Sequence, residues 1–546
     1  MKRNYWFLIG ILGCLVIPVV AFFWAFNLID SVFNYRSPLH STPPVAGQAL
    51  GDPLTRRVVI VIVDALRYDT SLDPQVMPYL NELRGQGAAA LMHSQPPSYS
   101  EPGYATLLTG AWPSINDGPA VNLDYADIPT FTQDDLFSAA HRSGLPTAIS
   151  GYYWFEKLVP QAAVDAGFYT PGENAAADQD VMAAALPMLS GDAQLVLIHI
   201  DQVDYAGHFQ GGPRDPRWNA AASRADKYLR QIVSTLDLKR DTVLVVSDHG
   251  QIDRGGHGGP EPVTLLEPYV LAGAGVRPGT YPDVQMVDVA PTLATLLGTN
   301  LPASAQGQVL TSMLTLSPKQ IASIQAADLI QKQTLYQAYI AAIRSQPTRQ
   351  PDPTNAASYI SAMDSAFAAR LNRERLWRGI PAFLLAVFPV ALLIIKKDRK
   401  ALWLVVGGLV YVLIFNFRYA ILDGRTYSLS SVDTQTWLIT YSMTTAGMAL
   451  VIGWLVVMFG LRSFRFGARN ATQVSLSFVY YTLYLLALPI LLHVTLNGFT
   501  TTWTLPEFYS AYIALISLIQ WIAVAALGLL LVGVSAGIAW LVAKRT

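Results

Sequence analysis

The sequence predicts an α/β fold, in which helices sandwich a mainly parallel sheet, followed by a helical membrane domain. Between residues 56 and 317, short apolar segments alternate with helical patterns, which is typical of a parallel sheet with crossover helices. One of these segments, Thr242–Val246, has the apolar and β-branched character of a strand covered on both faces. From about residue 377 the chain becomes strongly apolar, which indicates membrane-spanning helices.

The composition excludes several classes of protein. The chain has 546 residues, of which 52% are hydrophobic and 14% charged, and its net charge is −1. It is too apolar for an ordinary soluble protein, and no basic stripe indicates a nucleic-acid partner. The single cysteine, Cys14, lies in an apolar run, so no intrachain disulfide and no CxxC metal site is expected.

An apolar run from Tyr5 to Leu28 follows Met1-Lys2-Arg3. A cleavable signal peptide is the alternative interpretation, but its apolar core spans only about 7–15 residues and ends at small residues. The run here is longer and ends in bulky residues, which favours an uncleaved anchor. We therefore predict an N-terminal transmembrane anchor at 1–30 and a Pro/Ser/Gly-rich linker at 31–55.

The remaining chain divides into an α/β domain at 56–317, a helical stalk at 318–376 and a membrane domain at 377–546. The α/β domain contains five predicted strands and several helical patterns between them. The strands are Val58–Val63, Thr147–Ser150, Leu195–Ile200, Thr242–Val246 and Tyr269–Ala272, and the helical patterns include Met77–Gln86, Gln133–Ser143, Ala220–Leu236 and Val289–Leu297.

Five apolar spans are predicted in the membrane domain, at 377–395, 401–417, 437–461, 474–496 and 510–542. With the N-terminal anchor this makes six. Basic groups at Lys396–Lys400, Arg462–Arg469 and Lys544-Arg545 then fall on the same side as Lys2-Arg3. The positive-inside rule places that side in the cytoplasm. The α/β domain is accordingly expected on the non-cytoplasmic face, at the cell exterior, in the periplasm or in the lumen of the endoplasmic reticulum.

A metal site is predicted where Thr242–Val246 ends. Asp248 and His249 follow this strand, and His257 comes eight residues after His249, with glycines around them. Ligands collect at the carboxyl ends of strands in open α/β sheets, and carboxylate with imidazole suits a zinc ion. A surface loop with two unrelated histidines is the alternative.

Asp64 and Ser100 are candidates on two other segments. Asp64 ends the strand Val58–Val63, where it suits a metal ligand or, alternatively, a helix cap. Ser100 precedes a helical pattern, and the N–H groups at a helix start receive an anion. A serine becomes a nucleophile when a base or a metal deprotonates it. An ordinary N-cap is the alternative for Ser100, and Ser98 is its nearest rival for the role.

Asp204 and His208 follow the strand Leu195–Ile200 and stand four residues apart, so one metal can meet both if the segment is helical. Asp201 and His199 lie near enough to compete for the assignment. Because these residues and the group at Asp248 follow different strands, the pattern indicates a two-metal site built between loops.

Together these segments resemble the alkaline phosphatase superfamily, in particular its type I phosphodiesterase/nucleotide pyrophosphatase branch and the glycosylphosphatidylinositol (GPI) ethanolamine-phosphate transferases. The resemblance covers about 56–310. It rests on the opening motif Val-Ile-Val-Asp64-Ala-Leu-Arg-Tyr-Asp69, on Val203-Asp204-Tyr-Ala-Gly-His208, on the Asp248/His249/His257 motif and on the segment Asp288–Gly298. It implies the alkaline-phosphatase-like version of the predicted α/β fold.

The resemblance also implies site residues. Two divalent ions are expected, zinc in the first place with manganese as the alternative. One ion would be held by Asp64, Ser100, Asp248 and His249, and the other by Asp204, His208 and His257. Ser100 would be the catalytic nucleophile and form a phosphoserine. Asn122, or alternatively Asn116, would bind a phosphate oxygen. Glu101 and Tyr104 depart from the transferases' pattern, and a carboxylate at Glu101 would repel an anionic substrate unless it faces away or meets an amine.

The implied function is an integral-membrane, metal-dependent phosphotransferase that moves phosphoethanolamine from a phospholipid, or another phosphodiester donor, to a glycolipid-type acceptor. The alternative is a membrane-tethered phosphodiesterase or nucleotide pyrophosphatase that uses water as acceptor. A sulfatase is disfavoured because Ser100-Glu-Pro-Gly-Tyr104 lacks the arginine of that motif. A transporter or scaffold is disfavoured because ionisable residues are scarce in the predicted spans.

Overall fold

The computed structural model of the protein describes residues 2–396 and 399–545, with side chains for 5–391 and 400–544. The chain packs into two compact units. The first, here called the helical unit, comprises Met1–Val32, Asn372–Thr501 and Pro506–Thr546; the second, the α/β unit, comprises Phe33–Leu371 and Thr502–Leu505. The α/β unit therefore contains most of the predicted linker and stalk together with 56–317.

The α/β unit is built on one nine-stranded sheet with the strand order β4-β3-β5-β1-β6-β7-β2-β8, in which β9 also pairs with β2. The strands are β1 (Arg57–Val63), β2 (Ala88–His93), β3 (Thr147–Tyr152), β4 (Ala166–Thr170), β5 (Leu195–Ile200), β6 (Asp241–Val246), β7 (Leu266–Gly273), β8 (Gly279–Thr280) and β9 (Val284–Gln285).

The five strands from β4 to β6 run parallel, which confirms the mainly parallel sheet. β7, however, runs antiparallel to β6 and to β2. The reason is the connection: the chain between β6 and β7 forms no crossover helix, and without such a crossover a neighbouring strand returns antiparallel. The strand β2 and the edge strand β4 are not among the predicted strands. Their segments are rich in alanine and glycine, which give a weak strand signal.

Seventeen α-helices lie within the described residues. They are α1 (Lys2–Phe33), α2 (Tyr68–Leu72), α3 (Pro78–Gln86), α4 (Ser100–Thr109), α5 (Pro113–Asn116), α6 (Leu136–Arg142), α7 (Trp154–Leu158), α8 (Ala175–Ser190), α9 (Gln202–Phe209), α10 (Pro216–Ser234), α11 (Val289–Leu297), α12 (Pro318–Ile343), α13 (Ala356–Lys396), α14 (Arg399–Asn416), α15 (Gln435–Gly460), α16 (Gly467–Asn497) and α17 (Phe508–Arg545).

Helices cover both faces of the sheet. On one face, α3, α8 and α10 pack against the side chains of β1, β5 and β6, and the fully buried Trp218 lies in this layer. On the other face, α11 contacts β1 and α6 contacts β3. Every residue of β1, β5 and β6 is buried, as expected for strands covered on two sides. The sheet therefore forms a rigid base whose loops carry the polar residues.

Five helical segments of the helical unit are long and apolar enough to cross a membrane, and the protein is accordingly a multi-pass membrane protein. Polar pairs join these helices: the Tyr411 hydroxyl donates to Gln520 at 2.7 Å, and Trp454 Nε1 donates to Ser475 Oγ at 2.8 Å. The five segments are Tyr5–Phe33, Lys400–Leu422, Gln435–Gly460, Ser463–Asn497 and Phe508–Lys544.

The sixth predicted span, 377–395, forms the carboxyl-terminal part of α13. Its last side chains, from residue 392, lie outside the described set, as do Lys397 and Asp398 of the predicted basic group at Lys396–Lys400. The prediction of six spans therefore stays a prediction.

Candidate active site

Three aspartates lie side by side where the central strands end. Val63 of β1 pairs with Ile200 of β5, so Asp64 and Asp201 occupy equivalent positions one residue further along. The register between β1 and β6 places Asp248 level with Asp64 as well. All three side chains are buried. The parallel sheet thus gathers carboxylates at its carboxyl edge, where α/β folds bind ligands.

The second predicted ligand set lies beside this edge. Asp204 and His208 share one face of α9 because they stand four residues apart on it. Oδ2 of Asp204 lies 3.4 Å from Nε2 of His208, and Oδ1 lies 3.6 Å from Nε2 of His257. The two imidazole Nε2 atoms are 2.8 Å apart. The ligand atoms of these three residues all lie within 4.8 Å of one another, so one ion can reach all three.

The first predicted set converges on Nε2 of His249. This nitrogen lies 3.4 Å from Oδ1 of Asp64, 3.4 Å from Oδ2 of Asp248 and 3.1 Å from Oγ of Ser100. Four ligands at tetrahedral angles, about 2.0–2.1 Å from a central zinc ion, are about 3.3–3.4 Å from one another. The observed separations therefore suit a tetrahedral site. Asp204 is also close enough to join Asp64 and His249 in one group.

Two histidines of the site are held in the tautomer that a metal ligand needs. Nδ1 of His249 lies 3.0 Å from the carbonyl oxygen of Gly250, and Nδ1 of His257 lies 3.0 Å from that of Ser98. Because a carbonyl only accepts, each Nδ1 bears the proton and each Nε2 presents a lone pair. Burial, assisted by the neighbouring His249, lowers the pKa of His257 well below its usual value. His257 is therefore a neutral imidazole.

Two carboxylates of the site each have one oxygen without a hydrogen-bond donor in the described part of the chain. Among the described residues no donor reaches Oδ1 of Asp64 or Oδ2 of Asp248, although both atoms are buried. Burial, followed by the charge of Asp64, raises the pKa of Asp248 well above its usual value. Buried carboxylates are normally paired or bound to a metal. Divalent cations would provide the missing charge, and this set of carboxylates and imidazoles suits zinc or manganese.

Ser100 lies in the first turn of α4 and donates a hydrogen bond to Nε2 of His249 at 3.1 Å. The approach of α4 to the end of β6 depends on Gly103. A Cβ atom at this position would lie 2.7 Å from the backbone oxygen of Asp248 and 2.8 Å from its Cβ. A glycine therefore allows the helix to bring Ser100 to the predicted metal ligands.

The helix start offers fewer free N–H groups than the sequence pattern predicts. The N–H of Glu101 donates to Oδ1 of Asn122 at 3.1 Å, Pro102 has no N–H, and the N–H of Gly103 donates to the carbonyl of Tyr99. The side-chain amide of Asn122 is the available donor instead of these N–H groups. Asn122 uses only its oxygen in this contact, lines the same cavity as Ser100 and, among the described residues, has no partner for its Nδ2.

The Glu101 side chain does not face the anion site that is predicted beside Ser100 at the start of α4. Its side chain is fully buried, and its Oε2 accepts the N–H of Leu123 at 3.2 Å. Burial raises the pKa of this carboxyl to about 9, so it is neutral near pH 7. The repulsion that a charged residue beside Ser100 would cause is therefore absent. Instead, Glu101 fixes the loop that carries Asn122.

Tyr104 and His199 support Asp64, a role that sequence reasoning missed. The Tyr104 hydroxyl donates a short hydrogen bond to Oδ2 of Asp64, and Nε2 of His199 lies 2.9 Å from the same oxygen. These contacts occupy Oδ2 and leave Oδ1 to face His249. A signal was present in the spacing, because Tyr104 stands four residues after Ser100 and so shares its helix face.

Ser98 and Asn116, the alternatives to Ser100 and Asn122, form hydrogen bonds that hold loops in place. Oγ of Ser98 donates to the carbonyl of Gly259 at 2.8 Å and accepts the N–H of Gly258 at 3.0 Å, so it holds the loop of His257. Asn116 is fully buried and bonds to Ala111 and Gly118. Neither lines the cavity beside Ser100.

That cavity has a volume of about 230 Å³. It is lined by residues of both predicted ligand sets, by polar and acidic residues between them, and by aromatic side chains at its wall and mouth. These residues are Asp64, Ser100, Tyr104, Asn122, Tyr152, Trp154, Glu173, Asp201, Asp204, His208 and Phe209.

The amino-acid sequence is similar to curated membrane-enzyme sequences. Human GPI ethanolamine phosphate transferase 2, catalytic subunit, is 29% identical over 282 residues, which are 48% of this chain and 28% of that protein. The corresponding transferase of Candida albicans is 25% identical over 331 residues, or 56% of this chain and 37% of that protein. The chain thus spans well under half the length of these relatives.

Among solved structures, human ectonucleotide pyrophosphatase/phosphodiesterase 5 aligns with 48% of this chain and all of its own, at 14% identity and a TM-score of 0.40. A mutant of alkaline phosphatase PafA aligns with 48% of this chain and all of its own, at 12% identity and a TM-score of 0.39. The sequence profile described as type I phosphodiesterase / nucleotide pyrophosphatase matches residues 58–117 and 136–366, more than half of the chain. The chain belongs to the type I phosphodiesterase/nucleotide pyrophosphatase family.

Proposed function

We propose that this chain is an integral-membrane, metal-dependent phosphotransferase that acts on phosphodiesters through a phosphoserine at Ser100. It would move phosphoethanolamine from a phospholipid to a glycolipid-type acceptor. The observation that supports this most is the position of Ser100 Oγ, 3.1 Å from Nε2 of His249, beside a cavity and beside two buried carboxylates that each have an oxygen without a donor among the described residues. A serine held in this way is placed for nucleophilic attack.

The proposed metal ligands are those of the two converging sets, with two zinc or manganese ions. When bound, these ions would lower the pKa of the Ser100 hydroxyl and offset the charge on the phosphoryl group in transfer. The first set is Asp64, Ser100, Asp248 and His249, and the second is Asp204, His208 and His257.

The chemistry is a double displacement. Oγ of Ser100 forms a bond to phosphorus while the bond from phosphorus to the diacylglycerol oxygen breaks, and the proton lost from Ser100 ends on that leaving oxygen. The amide Nδ2 of Asn122 donates to a phosphate oxygen during the attack. An acceptor hydroxyl then attacks the phosphoserine, which restores the Ser100 hydroxyl. The buried edge of the sheet limits the access of water to the phosphoserine.

The membrane part and the relatives support a lipid substrate. The helical unit provides spans beside which lipids are available, and the similar curated sequences are GPI ethanolamine phosphate transferases. We infer that the α/β unit lies on the non-cytoplasmic face on the basis of six spans. If 377–395 crosses the membrane in addition to the five candidate segments, Arg462, Arg465 and Arg469 fall on the same side as Lys2-Arg3, and the positive-inside rule makes that side cytoplasmic.

The test uses the purified full chain in detergent with Zn²⁺, incubated with head-group-labelled phosphatidylethanolamine and with a chromogenic phosphodiester. Ser100→Ala removes the nucleophile, and Asp248→Asn removes a ligand charge. Ser143→Ala serves as a matched control, since that hydroxyl only donates to the carbonyl of Ala139 within its own helix end. We expect metal-dependent release of diacylglycerol and label trapped on Ser100, both lost in the first two variants and kept in the control.

Other results would change or overturn the proposal. Cleavage of the chromogenic ester without diacylglycerol release would indicate the phosphodiesterase alternative, with water as acceptor. Unchanged transfer in Ser100→Ala would exclude the phosphoserine. A protein that binds no divalent metal under native conditions would refute the mechanism.

A further inference from the structure

The geometry points to a primary-amine subsite in the cavity beside Ser100, formed by Glu173, Asp201 and Tyr152. It would bind the terminal –NH3⁺ of the group attached to phosphorus and select it over a quaternary ammonium. This inference rests on the proposed function, since the amine is the far end of the phosphodiester that Ser100 attacks.

Asp201 is the first observation behind this subsite. It directly follows β5, its side chain is 6% exposed, and it lines the cavity. Among the described residues, no hydrogen-bond donor reaches its carboxylate, and it belongs to neither group of residues whose ligand atoms converge on a metal position. A buried carboxylate without a partner, facing a cavity, indicates a cationic ligand.

Glu173 and Tyr152 provide the second observation. Tyr152 ends β3, and its hydroxyl donates to Oε1 of Glu173 at 2.7 Å. This bond fixes the carboxylate at the cavity wall, and no donor among the described residues reaches Oε2. Tyr152, Glu173 and Asp201 all line the cavity of about 230 Å³ beside Ser100. The three side chains therefore face one volume.

The charges around the cavity favour a cation there. Asp64, Asp204 and Asp248 belong to the proposed metal sets, whose ions would balance their charge. Glu173 and Asp201 remain as two uncompensated carboxylates near the position of an anionic phosphodiester. These carboxylates repel the negative phosphodiester, and the repulsion is stronger in a cavity of low dielectric constant than in water. A substrate without a positive group would therefore bind poorly.

The chemistry of the wall favours a primary amine. An –NH3⁺ group has three donors, and Oε2 of Glu173, the two carboxylate oxygens of Asp201 and the Tyr152 hydroxyl oxygen offer four acceptors, enough for all three. A trimethylammonium group has no N–H donor and instead prefers open aromatic faces. Here the Tyr152 ring is covered edge-on by Trp154, with ring centroids 4.9 Å apart. The cavity is thus suited to hydrogen-bonded recognition of ethanolamine rather than choline.

The experiment compares three esters with the same leaving group: 4-nitrophenyl phosphoethanolamine, 4-nitrophenyl phosphocholine and ethyl 4-nitrophenyl phosphate. We expect the wild-type kcat/KM for the ethanolamine ester to exceed that for the other two by about ten- to a hundredfold, the range for charge-assisted hydrogen bonds. In Glu173→Gln and Asp201→Asn the ratio should fall towards one. Glu156→Gln is the control, since that exposed carboxylate bonds to Tyr125 and does not line the cavity.

Calorimetric binding of phosphoethanolamine and ethyl phosphate to the zinc-loaded full chain gives a second readout. Equal cleavage of all three esters by wild type, or a preference for the choline ester, would overturn the subsite while leaving the proposed function intact. If no ester is cleaved, the binding ratio decides, while the proposed function is judged separately by diacylglycerol release. An about tenfold preference for phosphoethanolamine that is lost in Glu173→Gln would support the subsite, and equal binding would refute it.

Discussion

The Tyr104 hydroxyl offers a direct test of how the sheet edge prepares a metal ligand. In Tyr104→Phe the donor to Oδ2 of Asp64 is lost, while the ring keeps its contacts with Phe155 and His199, at centroid distances of 4.5 and 5.2 Å. Because the side chain is 1% exposed, water cannot readily replace the hydroxyl. The substitution therefore removes the hydrogen bond to Asp64 and the 2.8 Å contact of the hydroxyl with Nε2 of His199, with little change in packing.

The expected change in zinc affinity follows from the hydrogen bond that is lost at Asp64. A hydrogen bond to a charged group contributes about 1.5–3 kcal/mol, which corresponds to about a 10- to 100-fold change in an equilibrium constant. His199 still contacts Oδ2 of Asp64 at 2.9 Å, so the carboxylate stays in place but is less firmly oriented. We expect the zinc Kd of Tyr104→Phe to rise by about tenfold, at the lower end of the range for residues that orient metal ligands.

The assay is competition for Zn²⁺ between the purified protein and a chromogenic chelator. Tyr269→Phe is the matched control, because that buried hydroxyl has no hydrogen-bond partner among the described residues. It should bind zinc as wild type does. A folded Tyr104→Phe with wild-type zinc affinity would refute the orienting role, and equal losses in both variants would show that a general packing defect is responsible.

Two further substitutions test the surroundings of the site. Burial raises the pKa of Glu101 from 4.5 to about 9. The contribution of Glu101 to the free energy of unfolding is fully present below its unfolded-state pKa and is lost as the pH rises towards 9. Glu101→Gln has no such titration, so the free energy of unfolding should fall less across this pH range. Parallel wild-type and variant curves in chemical denaturation at several pH values would contradict this. In Gly258→Ala, at φ +104°, the new Cβ would lie 2.3 Å from the Tyr99 ring, whereas Gly144→Ala, at φ +71°, meets no atom within 4 Å. Both should lower the thermal midpoint, but only the first should weaken zinc binding by displacing His257; equal zinc affinities would exclude that displacement.

The part of the fold that the sequence predicts correctly is the part governed by local patterns. Apolar strands β1, β5 and β6 stand out because both of their faces are buried, and the polar residues after them must lie at one edge of a parallel sheet. The i, i+4 spacing of Asp204 and His208 likewise follows from helix geometry alone. The rule that ligands collect at the carboxyl ends of parallel strands, together with helix periodicity, is therefore enough to predict that the proposed metal ligands lie close together.

Other features depend on contacts between distant segments. The bond from Tyr104 to Asp64 exists because Gly103 lets α4 approach the sheet closely, and no local pattern indicates such an approach. Glu173 reaches the cavity from the loop after the edge strand β4, whose alanine- and glycine-containing segment has a weak strand signal. The free N–H groups expected at the start of α4 are largely used by Asn122 and the backbone, which the sequence alone does not indicate.

The register of β1 has a consequence for folding. Val58 pairs with Leu195 on one side and with Thr242 on the other, partners more than 130 residues away along the chain. Contacts between residues so far apart in sequence form slowly, because the entropy cost of closing a long loop comes before the stabilising strand pairing. The first proposed ligand set therefore forms late, because Asp64 meets Asp248 and His249 only after β6 has been made and has paired with β1. Binding of an ion at this first set by the growing protein would show that β1 and β6 have paired.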